Sequence, residues 1–281
     1  MAILFSGDFH GGKGNELALI TKKALLKKHG QELYDKIKYH IILGDGGFMW
    51  PGSGKKDLPN YEALALRPFP ILCVLGEHEP VYGMKDVPET DIGIGETVYQ
   101  INEKPFTAYL KRGKVYTIDG IKFLVLGGAL SRNIDKLKHN GTWWETEYWS
   151  EQEKRDLFKL LETENSFAYV LSHTGPHHIN KKLFAHNNPY PEKFTDEAAF
   201  LNDEVHDRIQ FCEWLCGHWH RDEYYCDKET GRGYDYFYKR TKVLVSDGGD
   251  MRMYDENQYE FFKNFTVPTE LNTRTLEKKG V

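Results

Sequence analysis

Short apolar runs recur along the chain, and each is closed by glycine or by a polar loop. A short apolar run bounded by turn residues is typical of a strand buried within a sheet. The pattern predicts six such strands, at residues 3–5, 41–43, 71–75, 168–171, 211–216 and 243–245. The chain is therefore expected to contain a sheet that is covered on both faces.

Two stretches between the strands have the periodicity of helices instead. Residues 16–29 bring Leu17, Ile20 and Ala24 to one face, and residues 150–163 have a similar pattern. The second stretch begins with Ser150 and Glu153 at the spacing of a capping box, in which each residue bonds the other's backbone N–H. We therefore predict two helices that pack against the sheet.

The middle of the chain has a different pattern. Residues 115–118 and 121–126 flank Asp119-Gly120, a two-residue signal for a tight hairpin. Antiparallel strands are expected to join the sheet there. Alternating strands and helices with one hairpin indicate an α/β domain with a mixed sheet and helices outside it.

Two segments are rich in Pro, Asn and charge, and the first also contains Gly. They are residues 84–105 and 177–191, and both are expected to be surface loops. The last residues, 272–281, are expected to form a frayed or docking tail. We predict one domain over residues 1–271.

Charge and composition narrow the class of protein. The 281 residues carry a net charge of -5, which argues against general attraction to nucleic acid or to an anionic membrane. No apolar run approaches the ~20 residues that span a bilayer, and the first run meets Ser6, Gly7 and Asp8 too early for a signal peptide. We predict a cytoplasmic protein with no membrane contact, whose four cysteines are buried free thiols.

Acidic and histidine side chains follow the predicted strands. They are Asp8 and His10, Asp45, Glu77 with His78 and Glu79, His173, and His218 with His220. Because the carboxyl ends of parallel strands meet at one edge of a sheet, these side chains are expected to cluster. Carboxylates and neutral imidazoles suit Mn, Fe and Zn, and a carboxylate can bridge two ions, so the set has the chemistry of a binuclear centre.

The ordered series Asp8-Phe9-His10, Gly44-Asp45, Gly76-Glu77-His78-Glu79, Ser172-His173 and Gly217-His218-Trp219-His220 resembles the calcineurin-like metallophosphoesterase superfamily. The resemblance covers most of the chain. It implies a sandwich of two mixed sheets flanked by helices, with two divalent metal ions held at the strand ends. It also implies in-line attack on phosphorus by a metal-bound hydroxide.

The same resemblance implies a role for each matching position. Asp8, His10 and His220 would bind the first metal, Asp45 would bridge, and Glu77, His173 and His218 would bind the second. His78 would lie beside the substrate, as general acid for the leaving oxygen or as a phosphate contact. Glu79 would fix the orientation of His78.

The chain departs from the family at position 77, where the family normally has Asn. An ionised Glu77 adds a negative charge and cannot donate a hydrogen bond to the phosphate, a bond worth roughly 1.5–3 kcal/mol. It can still bind a metal. Three explanations remain open: a variant tuned to another metal or substrate, a deliberately altered sequence, and a binding protein that has lost turnover.

A second departure concerns phosphate contacts. Gly46-Gly47-Phe48 lacks the Arg expected in the phosphoprotein phosphatase branch, which weakens that assignment. Arg132 is a candidate for the missing phosphate contact. It fits equally well as an ordinary exposed arginine with no role in the site. We predict a phosphomonoesterase acting on a small phosphorylated substrate. The alternatives are a phosphodiesterase acting on nucleotides or nucleic-acid ends, action on a phosphoprotein, and a low-activity binding protein.

Other aromatic and histidine residues have simpler readings. Trp143, Trp144 and Trp149 are expected to pack on the domain surface rather than to line a cleft. The loop histidines His177, His178 and His186 are expected to be solvated. Tyr234, Tyr236 and Tyr238 alternate along the chain, which predicts a strand with one aromatic face.

Overall fold

Residues 1–10, 21–49, 69–79, 87–104, 106–131, 134–185, 196–247 and 250–254 are described by the computed structural model. They form two mixed sheets flanked by helices, as predicted. The predicted tail at residues 272–281 lies outside the described residues, and the boundary at residue 271 stays a prediction.

The first sheet has eight strands in the order β14-β13-β1-β2-β3-β6-β5-β4. Their bounds are β1 Ala2–Gly7, β2 Ile37–Leu43, β3 Ile71–Cys73, β4 Glu89–Thr90, β5 Val98–Asn102, β6 Thr107–Leu110, β13 Lys242–Asp247 and β14 Asp250–Tyr254. The four central strands β1, β2, β3 and β6 are parallel. The carboxyl ends of β1, β2 and β3 therefore lie at one edge of the sheet.

The second sheet has six strands in the order β11-β12-β10-β9-β8-β7. Their bounds are β7 Lys114–Ile118, β8 Ile121–Val125, β9 Tyr169–Leu171, β10 Glu213–Cys216, β11 Glu223–Cys226 and β12 Gly233–Tyr236. The hairpin predicted at Asp119-Gly120 joins β7 to β8, with Ile118 opposite Ile121. Strands β8, β9, β10 and β12 run parallel to one another.

The helices lie on the outer faces of the two sheets. They are α1 Lys22–Lys36, α2 Ile134–His139, α3 Glu151–Thr163, α4 His177–Phe184 and α5 Glu197–His206. Within α1 the helical backbone is interrupted at Gly30, whose φ is 78°. The helix predicted over 16–29 is thus found from Lys22 onward, and residues 16–20 lie outside the described part of the chain.

Two predicted loops contain regular structure, so those predictions are wrong. Within residues 84–105, β4 and β5 pair with each other, and β5 pairs with β6. Within residues 177–191, α4 buries Ile179 and Phe184 against the second sheet. In both segments the pairing or packing partner lies elsewhere in the chain, and burial against it outweighs the local loop composition.

The apolar side chains form a core between the sheets and smaller cores under the helices. Phe5, Ile41 and Leu72 of the first sheet meet Phe123 and Leu171 of the second. Burial of the cysteines was predicted correctly for Cys73 and Cys216, whereas Cys212 is only partly buried and Cys226 is exposed at the end of β11. None of the described helices is both long and apolar enough to cross a membrane.

The capping box predicted at the start of α3 is present. The Ser150 hydroxyl accepts from the Glu153 N–H, and the Glu153 carboxylate accepts from the Ser150 N–H at 2.8 Å. These bonds satisfy two backbone donors that have no partner inside the helix.

Replacing Ser150 by Ala is therefore expected to lower the free energy of unfolding by about 1 kcal/mol. Urea denaturation measures this change. The exposed Ser166, which lies outside the helices, supplies the control: Ser166→Ala is expected to leave the midpoint unchanged. Equal destabilisation by the two variants would contradict the capping role.

Candidate metal centre

Seven candidate metal ligands follow five strand ends and meet between the sheets. The first sheet supplies Asp8 and His10 after β1, Asp45 after β2 and Glu77 after β3, and the second supplies His173 after β9 and His218 and His220 after β10. Their ligand atoms form overlapping groups in which all atoms lie within 4.8 Å of one another. The clustering expected from the sequence is therefore observed.

The backbone at these positions is unusual. Among the described residues, six non-glycine residues have positive φ, and five of them are Asp8, His10, Asp45, His218 and His220. Such conformations are costly for residues with a Cβ, and they concentrate at functional sites. These strained residues lie just after the strand ends, where the chain turns and the candidate ligands converge.

Glycines allow these turns to approach one another. A Cβ on Gly44 would lie 2.0 Å from His173 Nδ1, and a Cβ on Gly76 would lie 2.1 Å from Asp45 Oδ1. Both positions therefore exclude any larger residue unless the ligands move.

The first group consists of Asp8, His10 and His220. The Nε2 atoms of His10 and His220 lie 2.9 Å apart. Asp8 is fully buried, and neither of its carboxylate oxygens has a hydrogen-bond partner. A buried carboxylate without partners is costly, and a cation bound between the two imidazoles would provide its counter-charge.

The second group consists of Glu77, His173 and His218. Glu77 Oε2 lies 2.7 Å from His173 Nε2 and 3.2 Å from His218 Nδ1. The other ring nitrogen of His173, Nδ1, lies 2.8 Å from the Leu43 carbonyl oxygen. Because a carbonyl only accepts, Nδ1 carries a proton and donates it to Leu43, which leaves Nε2 as the ring atom directed into the group.

Asp45 lies between the two groups. Its Oδ2 is 3.7 Å from His10 Nδ1, and its Oδ1 is 3.6 Å from His173 Nε2. Asp45 therefore lies beside one member of each group.

Electrostatic effects within the cluster are strong. Burial raises the pKa of Asp8 to about 7, against an opposing effect of His173. Burial would also raise the pKa of Glu77, but His218 and His173 hold it well below its usual range. Burial opposes protonation of His173, yet Asp45 and Glu77 raise its pKa well above the usual value. The carboxylates and imidazoles of the cluster thus stabilise one another's charged forms.

His78 and Glu79 border the same cluster. His78 Nε2 lies 3.7 Å from Asp45 Oδ2 and 3.8 Å from Glu77 Oε1. The Glu79 carboxylate accepts from Gly76 N at 2.6 Å and from Gly47 N at 3.2 Å. Glu79 therefore braces the turns after β2 and β3, and its orientation of His78 stays a prediction.

Other candidate residues lie apart from these groups or outside the described chain. Arg132 and His186 lie outside it. His177 and His178 lie on α4 rather than in a loop. His177 stacks on Phe200 with ring centroids 4.2 Å apart, and His178 Nδ1 lies 2.7 Å from Asp203 Oδ1. Trp149 is buried and donates to the Gly127 carbonyl at 3.2 Å, which agrees with the packing role.

The prediction for Tyr238 is wrong. Tyr234 and Tyr236 lie on β12 and are buried, but the strand ends at Tyr236. The ring of Tyr238 instead stacks on His220, with centroids 4.8 Å apart and planes inclined by 7°. Sequence reasoning missed this contact because the alternation of tyrosines continues past the last paired residue.

A family model for the calcineurin-like phosphoesterases matches residues 1–222. The chain belongs to this family. The match includes all the candidate ligands, so family membership supports a metal-dependent phosphoesterase and implies divalent metal at the cluster. A search of curated proteins found no match.

Solved structures with a similar chain path have low sequence identity. A dimetal phosphatase from Danio rerio is 12% identical and has a TM-score of 0.49, with 91% of this chain and 95% of that chain covered. A putative 5'-nucleotidase from Staphylococcus aureus is 14% identical and has a TM-score of 0.48, with 90% of this chain and 52% of that chain covered. GAP50 of Plasmodium is 10% identical and has a TM-score of 0.49, with 95% of this chain and 88% of that chain covered.

Proposed function

We propose that the protein hydrolyses phosphomonoesters at a binuclear metal centre. The observation that carries the proposal is the position of Asp45, which lies between two ligand groups and beside His10 of one and His173 of the other. Each group offers carboxylate and imidazole donors, a set that suits Mn, Fe or Zn. The buried oxygens of Asp8, which have no hydrogen-bond partner, independently favour a cation at the first group.

The ligands have distinct parts in this proposal. Asp8, His10 and His220 would hold the first cation, Glu77, His173 and His218 would hold the second, and Asp45 would serve both. Divalent cations bound there would lower the pKa of water and neutralise charge on the phosphoryl oxygens. Because Asp8, Asp45, Glu77 and His173 are buried, the site also limits access of bulk water to these four candidate ligands.

His78 supplies the acid function in the proposal. Its side chain is 14% exposed, and its Nε2 lies near Asp45 and Glu77. From this position Nε2 donates a proton to the oxygen of the departing alcohol. No serine or cysteine nucleophile is required, and the buried Cys73 and Cys216 have thiol pKa values raised well above normal by burial.

A metal-reconstitution experiment tests the proposal. The full chain is treated with a chelator, its metal content is measured, and p-nitrophenyl phosphate hydrolysis is followed as Mn is restored. We expect turnover to appear as about two ions bind per chain. Binding of metal without hydrolysis of any phosphoester would contradict the proposed function.

The ester class is tested in parallel with bis(p-nitrophenyl) phosphate. Faster hydrolysis of the monoester supports a phosphatase acting on a small phosphorylated substrate or a phosphoprotein. Faster hydrolysis of the diester supports action on nucleotides or nucleic-acid ends. A cytoplasmic location stays a prediction that cell fractionation can test.

Glu77 favours a second candidate, a binding protein that retains the fold with little or no turnover. Its carboxylate lies among the candidate ligands and adds a negative charge that would repel a phosphate group bound there. Absence of both bound metal and turnover in the reconstitution experiment would support this candidate.

A further inference from the structure

His220 is the most exposed of the seven candidate ligands. The others are buried or partly buried, whereas His220 belongs to the exposed class and has a φ of 52°. An exposed side chain loses rotamer freedom when it is fixed on a metal, and that loss weakens binding. A neighbouring contact that fixes the ring beforehand would remove part of this cost.

The ring of Tyr238 provides such a contact. It lies nearly parallel to the His220 ring, with centroids 4.8 Å apart, while the edge of His10 meets the His220 ring at 5.0 Å and 83°. The His220 plane is thus set by one stacked and one perpendicular neighbour. His10 is itself a candidate ligand, so Tyr238 is the partner from outside the ligand set.

The backbone around Tyr238 is held to the segment that carries His220. Asp222 lies two residues after His220, and its Oδ1 accepts from Tyr238 N at 2.8 Å, Lys239 N at 3.1 Å and Arg240 N at 3.2 Å. These bonds fix the two ring-bearing segments relative to each other. Trp219, beside His220, stacks on Phe184 of α4 at 4.9 Å and holds the same turn from another direction.

We propose that Tyr238 is a positioning residue that fixes the His220 ring for binding of the first metal. The inference rests on the proposed metal centre. It assigns to a residue outside the family-matched region 1–222 a contribution to a ligand inside that region. The aromatic ring carries this role, and the hydroxyl group is dispensable.

Calorimetric titration of the metal-free full chain with Mn tests the proposal. Tyr238→Ala is expected to weaken one of the two binding events about tenfold, the effect typical of losing a residue that orients a metal ligand. Tyr238→Phe retains the ring and is expected to keep both Kd values within about twofold of the parent.

A double-substitution cycle separates positioning from general damage. On a His220→Ala background, where the first ligand group is already incomplete, Tyr238→Ala is expected to have no further effect on Mn affinity. An equal loss on both backgrounds, or no loss in the parent, would overturn the inference while leaving the proposed function intact. Failure of the parent to bind Mn would overturn both.

Discussion

The Asp8→Asn variant is expected to lose at least about 100-fold in phosphoester turnover and yet to be more stable than the parent in the metal-free form. Turnover falls because the amide is a poorer ligand than the carboxylate for the first metal. Stability rises because the parent buries a carboxylate whose two oxygens have no hydrogen-bond partner. Removing that charge is expected to add about 1–3 kcal/mol to the free energy of unfolding, measured by denaturant titration with chelator present.

A second buried aspartate supplies the matched control. Asp235 is fully buried like Asp8, but its carboxylate pairs with Lys242 and Arg240. Asp235→Asn is therefore expected to destabilise the protein, because it leaves buried cations without their counter-charge. If Asp8→Asn destabilised the metal-free chain as Asp235→Asn does, the unfavourable burial attributed to the Asp8 carboxylate would be disproved.

The Glu77→Asn variant is expected to raise kcat/KM for p-nitrophenyl phosphate about 10- to 100-fold. Asparagine retains an oxygen for the second metal, removes a negative charge beside the phosphate and restores an N–H donor, and a hydrogen bond to a charged group accounts for a change of this size. Initial rates are measured at matched Mn content, determined by elemental analysis.

Glu77→Gln separates the charge from the length of the side chain. Glutamine is neutral and has the length of the native residue, so it is expected to recover part of the gain. Equal or lower activity of Glu77→Asn with unchanged metal content would show that the native carboxylate is not what limits turnover. Loss of metal from both variants would instead identify Glu77 as a ligand whose charge the centre requires.

The sequence was sufficient to predict that the candidate ligands cluster, because strands buried on both faces appear as continuous apolar runs and the first polar residues after them lie at the sheet edge. The β7–β8 hairpin was predictable for a local reason: Asp119 and Gly120 both adopt positive φ, as the tight turn requires. Each of these features is determined by neighbours in the sequence.

The features that sequence reasoning missed depend on distant partners. Strand β5 is mostly half-buried and carries no strong apolar alternation, so it is recognisable only beside β6. Helix α4 has apolar residues at helical spacing, but the asparagines and prolines within residues 177–191 led to the prediction of a loop. The stack of Tyr238 on His220 depends on how two separate segments after β10 and β12 meet.

Each ligand group draws side chains from both sheets. Asp8 and His10 come from the first sheet and His220 from the second, while Glu77 comes from the first and His173 and His218 from the second. A bound cation would thus join the two layers of the sandwich. By mass action, folding and metal uptake would then be thermodynamically linked, with about 2.7 kcal/mol of added stability at a free-ion concentration 100 times Kd. Availability of the ion would govern the fraction of chains that are folded as well as the occupancy of the centre.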